Sequence, residues 1–319
     1  MIGIRPPLGA RTRAASACAS ALVCAVALLV ALPFGGVAQQ MRSPPIEIIQ
    51  LTRQVRADSV EVGVYYRSSD GRDSVLVAPD LRMHAASTMK VPVMLQLFLD
   101  QEAGRLELDA AIPVTTEFRS ILDGSTYRLD SSSDSEQDLY GRVGESVSRR
   151  DLIERMITRS SNLATNLLIA DADAERVTVT LRRLGADSIE VLRGVEDIPA
   201  FEAGLSNTTT ARDMGVVMRA LMEGDVASPA SREEMLGILE RQQFREKIPA
   251  GVPEGVRVAN KTGGITGIHH DAAVVFPDDD VPYVLVVLIR GYPGDDQRAN
   301  ALAAAISDAV WRLHRDGRE

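Results

Sequence analysis

Strand-forming sequence is gathered at the two ends of this chain and is scarce between them, and that distribution limits the possible folds more than any other feature. Near the start, SVEVGVYYR (59–67) and DSVLVAP (73–79) are β-rich runs joined by SSDGRD, whose Asp and Gly supply hairpin turn chemistry. Near the far end, HDAAVVF (270–276) and YVLVVLIRGY (283–292) flank PDDDVP as a second hairpin, and VRVANKTG (256–263) just before them supplies a fifth strand. Between the ends the pattern is helical. Ser148 before Asp151, Thr210 before Asp213 and Ser231 before Glu234 fit side-chain caps, MKVPVMLQLFLDQEAGRLEL (89–108) reads as one apolar helix, and DDQRANALAAAISDAVWRLHR (295–315) reads as a closing amphipathic helix. The expected fold is α/β of the α+β kind: an antiparallel five-stranded sheet drawn from both chain ends and flanked by helices, plus an all-helical lobe over about residues 95–250. A cleft between the two parts is the natural place for a ligand.

The first 38 residues are set aside from this reading. Arg5, Arg11 and Arg13 precede an apolar stretch from about Ala14 to Phe34, and Gly36-Val37-Ala38 gives a small-residue exit, so an export signal is expected over 1–38 and the body of the protein over 39–319. The two cysteines, Cys18 and Cys24, both fall inside that signal, which leaves the body without a disulfide framework, a thiol nucleophile or thiolate metal ligands. Removing three arginines and no acid leaves 32 basic against 44 acidic residues, a formal charge of −12 that argues against nucleic acid as a partner. A periplasmic or secreted monomer is expected, with no stable membrane insertion once the signal is cleaved. LDSSSDSEQD (129–138) is a polar low-complexity patch and reads as a surface loop.

Positive charge in this chain is almost always arginine: 32 arginines stand against lysines at only 90, 247 and 261. A guanidinium stays protonated in proteins, whereas an amine loses its proton when it is desolvated or crowded by cations. Lys90 lies three residues after Ser87 at the start of a helical run, a spacing that puts hydroxyl and amine on one face within mutual reach. A serine hydroxyl becomes a nucleophile when a neighbouring base takes its proton, and a lysine of lowered pKa is such a base. Lys261 opens KTGG, where Lys261, Thr262, Gly263 and Gly264 would give a strand a cationic edge that lets a backbone approach an anionic substrate closely. RSSNLATNLL (159–168) breaks between two apolar-periodic segments, so a short turn can aim Ser160 and Asn162 into the cleft. Lys247, in REKIPAG, has no such context and is assigned to the surface.

STMK, SSN and KTG occur in that order, about seventy and then about one hundred residues apart, and in this the chain resembles the class A β-lactamases and penicillin-binding serine hydrolases. NLATNLL, NTTTARDM and IPAGVPEGVRVANKTG are also similar to class A sequences, so the likeness covers nearly all of 39–319. It implies a β-lactamase/transpeptidase-like fold and an acyl-transfer site without metal or other cofactor. Ser87 attacks a β-lactam carbonyl, Lys90 manages its proton, and Ser160, helped by Lys261, relays a proton to the leaving nitrogen. Asn162 binds the substrate's side-chain amide, Thr262 and Lys261 hold its carboxylate, and the N–H groups of Ser87 and Gly264 form the oxyanion hole. The substrate implied is a small β-lactam or a cell-wall peptide. A D,D-peptidase or other cell-wall amide or ester hydrolase, and a penicillin-binding sensor that acylates without turnover, remain as alternatives.

Two departures from the family pattern stand out. Ser161 occupies the place of the usual aspartate in the middle box and so lacks a carboxylate to brace the turn. In LRGVEDIPAFEAGLSN (192–207), where the family carries a glutamate that activates the deacylating water, Glu196 is three residues after Arg193 instead of two, no asparagine follows four residues later, and Asn207 replaces an aspartate that would pair with the arginine. Glu196 is taken as the general base, with Asp197 and Glu202 as the other acids. In HHD (269–271) adjacent residues on a strand face opposite ways and no third histidine is near, so no metal site is expected, while His269 or His270 can line the substrate edge.

Overall fold

YVLVVLIR is apolar throughout because the strand it forms is covered on both faces. In Tyr283–Arg290, Val284, Val286 and Leu288 enter one core while Tyr283, Leu285, Val287 and Ile289 enter another, which is what an alternating backbone does between two layers of helices. The computed structural model describes residues 46–224 and 226–316. The expected signal over 1–38, with Cys18 and Cys24, lies outside them. Among the described residues no helix is long and apolar enough to cross a membrane.

The central sheet is five-stranded and antiparallel, in the order Ser74–Val77, Glu61–Ser68, Tyr283–Arg290, Ile268–Phe276, Arg257–Ile265. The first and last parts of the chain therefore meet as adjacent strands, with Glu61 opposite Arg290 and Ser68 opposite Tyr283. Arg257–Ile265 ends the sheet, so one row of its backbone groups has no strand beside it. Helix α1 (Ile46–Arg56) and the C-terminal α9 (Asp296–Asp316) cover one face. The other face packs against α7 (Ala211–Glu223) and α8 (Pro229–Glu240), and the core begun there continues among α2 (Lys90–Glu102), α3 (Arg149–Thr158), α4 (Asn162–Ala172) and α5 (Ala174–Arg183). One-turn α6 (Ile198–Glu202) follows Glu196. The helical part also carries short two-stranded ribbons, Ala111–Pro113 with Ser146–Ser148 and Glu117–Arg119 with Thr126–Arg128.

Two helix boundaries differ from expectation. Ser148 and Thr210 cap α3 and α7 by accepting from Asp151 and Asp213 N–H, but α8 is capped by Ser228 with Pro229 in its first turn, and Ser231 lies inside the helix. Proline suits the first helical position because its missing N–H has no partner there anyway, which moves the start three residues upstream. Helix α2 stops at Glu102, short of Leu108: Gly104, at φ +66°, donates to Gln101 O while Arg105 donates to Asp100 O. That pair of bonds closes a helix with a left-handed glycine.

Candidate active site

Ser87 sits in a 3₁₀ turn, Ala86–Met89, that runs directly into α2 at Lys90. Ala86, just before it, is held at φ +46°, a conformation that costs a non-glycine residue energy and is maintained only by its surroundings. Ser87, Ser160, Asn162, Thr262 and Gly264 line one cleft of about 730 Å³.

Lys90 is fully buried beneath that cleft. Burial drives its amine down to about 7, against the opposing attraction of Asp134 and then Glu196. Among the described residues its hydrogen bonds run to Ser160 O (2.6 Å), Asn162 Oδ1 (3.0 Å), Ser160 Oγ (3.3 Å) and Ser161 O (3.4 Å), and none runs to Ser87 Oγ. The direct amine–hydroxyl hydrogen bond expected from their spacing is thus not among them; the amine is held by the carbonyls of the middle turn and by Asn162. Ser160 Oγ lies between two amines, since Lys261 Nζ also donates to it at 3.0 Å. Lys261 is fully buried as well, and its pKa is pulled well below the usual lysine range by burial and then by repulsion from Lys90. Ser160 adopts φ +57°, which turns its side chain out of the α3–α4 line into this position.

The edge strand supplies the opposite wall. Lys261 shares a strand face with Ala259, which packs toward the helices, so strand alternation aims the amine at Ser160. Gly263 is required by space: a Cβ there would lie 3.2 Å from Ser87 N and 3.0 Å from Thr88 Cγ2. His269 lines the cleft, while His270 is buried away from it, donating to His84 O and accepting from Ile289 N, and burial drives its pKa down to about 3. Lys247 is not an outlying surface residue as expected; half-buried, it lines the same cleft, so all three lysines converge on one site. Its rarity as a lysine, the argument applied to Lys90, was the available signal. Among the described residues no group of acids and histidines is arranged to hold a metal ion.

Of the three acids in the 192–207 loop, the structure brings only Glu196 to the site. Its carboxylate accepts from Asn162 Nδ2 at 3.0 Å and from Ser133 Oγ at 3.2 and 3.3 Å, at a backbone φ of +62°. Asn162 therefore bridges Lys90 and Glu196. Asp197 instead caps α6 and accepts from Ser120 Oγ and Ile121 N, and Glu202 is exposed. The missing arginine–aspartate pair is replaced by backbone stitching: Asn207 Oδ1 accepts from Leu192 and Arg193 N–H, and Arg193 donates to the carbonyls of Leu205 and Gly194.

Three positioning groups went unread in the sequence. Asn166, one turn after Asn162 in α4, clamps Val195 through both its N–H and its carbonyl, at 2.7 and 3.0 Å. The i, i+4 pair of asparagines in an otherwise apolar helix was the trace of it. Asp134 and Ser133 come from the serine-rich patch that was expected to be a surface loop. The segment is at the surface, with Ser132, Ser133, Ser135, Gln137 and Asp138 exposed, but Asp134 and Glu136 are buried, and Ser131–Ser133 forms a 3₁₀ turn whose Ser133 reaches Glu196. Composition carried no sign of this, because serine and acid runs read as solvated whatever they face.

Residues 48–313 match the Beta-lactamase2 model, described as the beta-lactamase enzyme family. A beta-lactamase of Streptomyces lavendulae is 28% identical over 288 residues, 87% of this chain and 90% of that protein. Among solved structures, the beta-lactamase from Sphaerobacter thermophilus DSM 20745 is similar with a TM-score of 0.73 and 26% identity, covering 84% of this chain and 97% of that one. PBP-A is similar in fold, with a TM-score of 0.74 at 24% identity over 86% of this chain and 98% of that one.

Proposed function

The chain belongs to the beta-lactamase enzyme family and is a serine β-lactamase-like hydrolase, and we propose that it is exported and opens β-lactam rings through an acyl-enzyme on Ser87. The observation that carries this reading is the buried Lys90, its pKa lowered to about 7, joined to Ser160 and, through Asn162, to Glu196. Near neutral pH about half of such an amine is unprotonated and able to accept a proton.

In acylation the Ser87 proton passes to Lys90 as Oγ bonds to the lactam carbonyl carbon. The oxyanion is met by the N–H groups of Ser87 and Gly264, in a wall that Gly263 brings into close contact. When the carbon–nitrogen bond breaks, Ser160 gives its proton to the leaving nitrogen and is reprotonated from Lys90, with Lys261 holding the hydroxyl in place. Thr262 and Lys261 face the substrate carboxylate, and Asn162 faces its side-chain amide. In deacylation Glu196 takes a proton from water, the resulting hydroxide adds to the ester carbonyl, and Ser87 leaves with a proton returned to it.

Intact-protein mass spectrometry after mixing with a penicillin, followed in time, tests the proposal. An adduct of one penicillin mass that forms and then decays, and that is absent from Ser87→Ala, is expected. An adduct that never decays identifies a protein that acylates without turnover, and an undiminished adduct on Ser87→Ala rules out Ser87 as nucleophile. Release of D-alanine from a peptidoglycan peptide with no β-lactam turnover would favour a D,D-peptidase.

A further inference from the structure

The serine-rich segment is fastened to the turn that carries Ser160 and Asn162 at three successive residues. Ser135 Oγ donates to Arg159 O at 2.7 Å, Glu136 pairs with Arg155 at 2.9 Å, and the Asp134 carboxylate accepts from the N–H groups of Asn162 (2.9 and 3.0 Å) and Leu163 (2.9 Å). Asn162 and Leu163 are the first two residues of α4, whose N–H groups have no partner within the helix. The third is taken by Ser161, whose hydroxyl accepts from Ala164 N–H at 3.2 Å. A carboxylate at this helix end is stabilised by both the hydrogen bonds and the helix dipole. Its own place is fixed by Tyr140 OH at 3.0 Å and Glu136 N–H at 3.1 Å.

We infer that Asp134 is a positioning residue for acylation, supplying from a neighbouring segment the carboxylate that the Ser160-Ser161-Asn162 turn lacks. The inference rests on the acyl-transfer reading of the site. The physical route is short. By holding the first N–H groups of α4, Asp134 fixes the turn whose carbonyls at Ser160 and Ser161, and whose Asn162 side chain, receive the Lys90 amine. It also places a negative charge beside that amine. Of the charged groups acting on Lys90, Asp134 favours its protonated form most, followed by Glu196 from the 192–207 loop; Lys261 of the edge strand is the cation in electrostatic contact with it. Around Asp134 itself stand Tyr140, Glu136 and Lys90, and Glu196 and Asp130 act in turn on Tyr140. Ser161 can be serine because the charge arrives from outside the turn.

The test measures acylation by a labelled penicillin across pH for the parent, Asp134→Asn, and Asp134→Asn combined with Ser161→Asp. Asp134→Asn should slow acylation about tenfold or more, since small displacements of a reacting group are costly. The acid limb of its pH profile should move to lower pH, because loss of a nearby negative charge makes Lys90 easier to deprotonate. Adding Ser161→Asp, which restores a carboxylate inside the turn and remains a good helix cap, should recover most of the rate and return the limb. A slowed variant with an unmoved limb and no recovery would mean Asp134 serves folding alone and overturns the inference, as would a parental rate. If Asp134→Asn does not fold, Asp134→Glu reads the same quantities: a slower rate with an unmoved limb is expected, and a parental rate overturns the inference. A parent that is never labelled instead removes the acyl-transfer reading, and this inference with it.

Discussion

The two sides of the cleft are held in different ways. On the side assigned to acylation, Ser87 and Lys90 lie where a 3₁₀ turn enters α2, Ser160 lies between α3 and α4, and Lys261 lies on a sheet strand. The positions of Ser87, Lys90 and Lys261 follow from repeating backbone geometry, while the Ser160 turn, at φ +57°, is tied from outside by Asp134. On the side assigned to hydrolysis, Glu196 lies on an irregular stretch fixed by side-chain contacts: Asn166 of α4 holds Val195, while from within the loop Asp197 reaches the hairpin at Ser120 and Ile121, and Asn207 grips Leu192 and Arg193. The regular elements of the first side change only as wholes, whereas the Ser160 turn and the Glu196 stretch can each be retuned one contact at a time. That difference accounts for where this chain keeps its family pattern and where it departs from it: STMK and KTG lie on regular elements and are kept, while Ser161 and the 192–207 loop fall on irregular backbone.

The largest separation between the two sides is expected from Lys90→Arg. A guanidinium cannot give up its proton, so acylation by a labelled penicillin should fall by about a thousandfold, within the usual range for removal of a general base. In the parent, acylation should decline as pH falls below about 7, the value to which burial brings Lys90. Below that point the amine is already an ammonium and cannot accept the Ser87 proton; above it the neutral form dominates and the rate levels off. An Arg variant that keeps a tenth of the parental rate would detach Lys90 from the chemistry. Glu196→Gln should do the reverse. Acylation is expected within about threefold of the parent while decay of the adduct slows by ~10²–10⁴, trapping it for mass spectrometry. If both steps fall together, the cleft is not divided in the way described.

The same division governs what could be read in the sequence. The spacing of Ser87 and Lys90, the run of KTGG and the two hairpins state geometry directly, because helices and strands convert residue number into direction. The sheet and its edge strand were legible for that reason. The direct contact between Ser87 and Lys90 was not, because spacing fixes a shared face but leaves open which acceptor a long flexible amine chooses, and the Ser160 carbonyl at 2.6 Å is the nearer one. Asp134 is the clearest case of information absent from local sequence. Its role depends on a segment 28 residues upstream of Asn162 folding back onto the start of α4, and nothing in LDSSSDSEQD marks Asp134 and Glu136 as the buried two of its four acids. Glu196 was read from its place after Arg193 in the loop where the family carries a glutamate; Asp197, the neighbouring acid, is taken up in capping α6, where it is held by Ala200 N–H and by the neighbouring hairpin.

The smallest expected effect tests whether the hydrolytic side can be tuned alone. Asn207 is buried, accepts from Leu192 N–H at 2.8 Å and Arg193 N–H at 3.1 Å, and donates to Arg193 O at 2.9 Å. In Asn207→Asp the two accepted bonds persist and strengthen with the charge, but the donated bond is lost and a carboxylate oxygen is turned against the Arg193 carbonyl. The Arg193 guanidinium offsets part of that cost, although it already donates to the carbonyls of Leu205 and Gly194 and lies 6.0 Å from the Phe201 ring centre. Opposed contributions of this kind leave a net destabilisation of about 1 kcal/mol, a fall in Tm of about 2 °C for a chain this long. Because the Asn207 side chain bonds only the stretch that leads to Glu196, and the bond its backbone carbonyl accepts from Ala85 N–H at 2.9 Å is kept in the variant, adduct decay should change by less than about tenfold while adduct formation stays parental. Time-resolved mass spectrometry measures both rates in one experiment. An Asp variant that acylates more slowly would show that the 192–207 loop also shapes the wall carrying Ser87, and the two sides would then have to be treated as one mechanical unit.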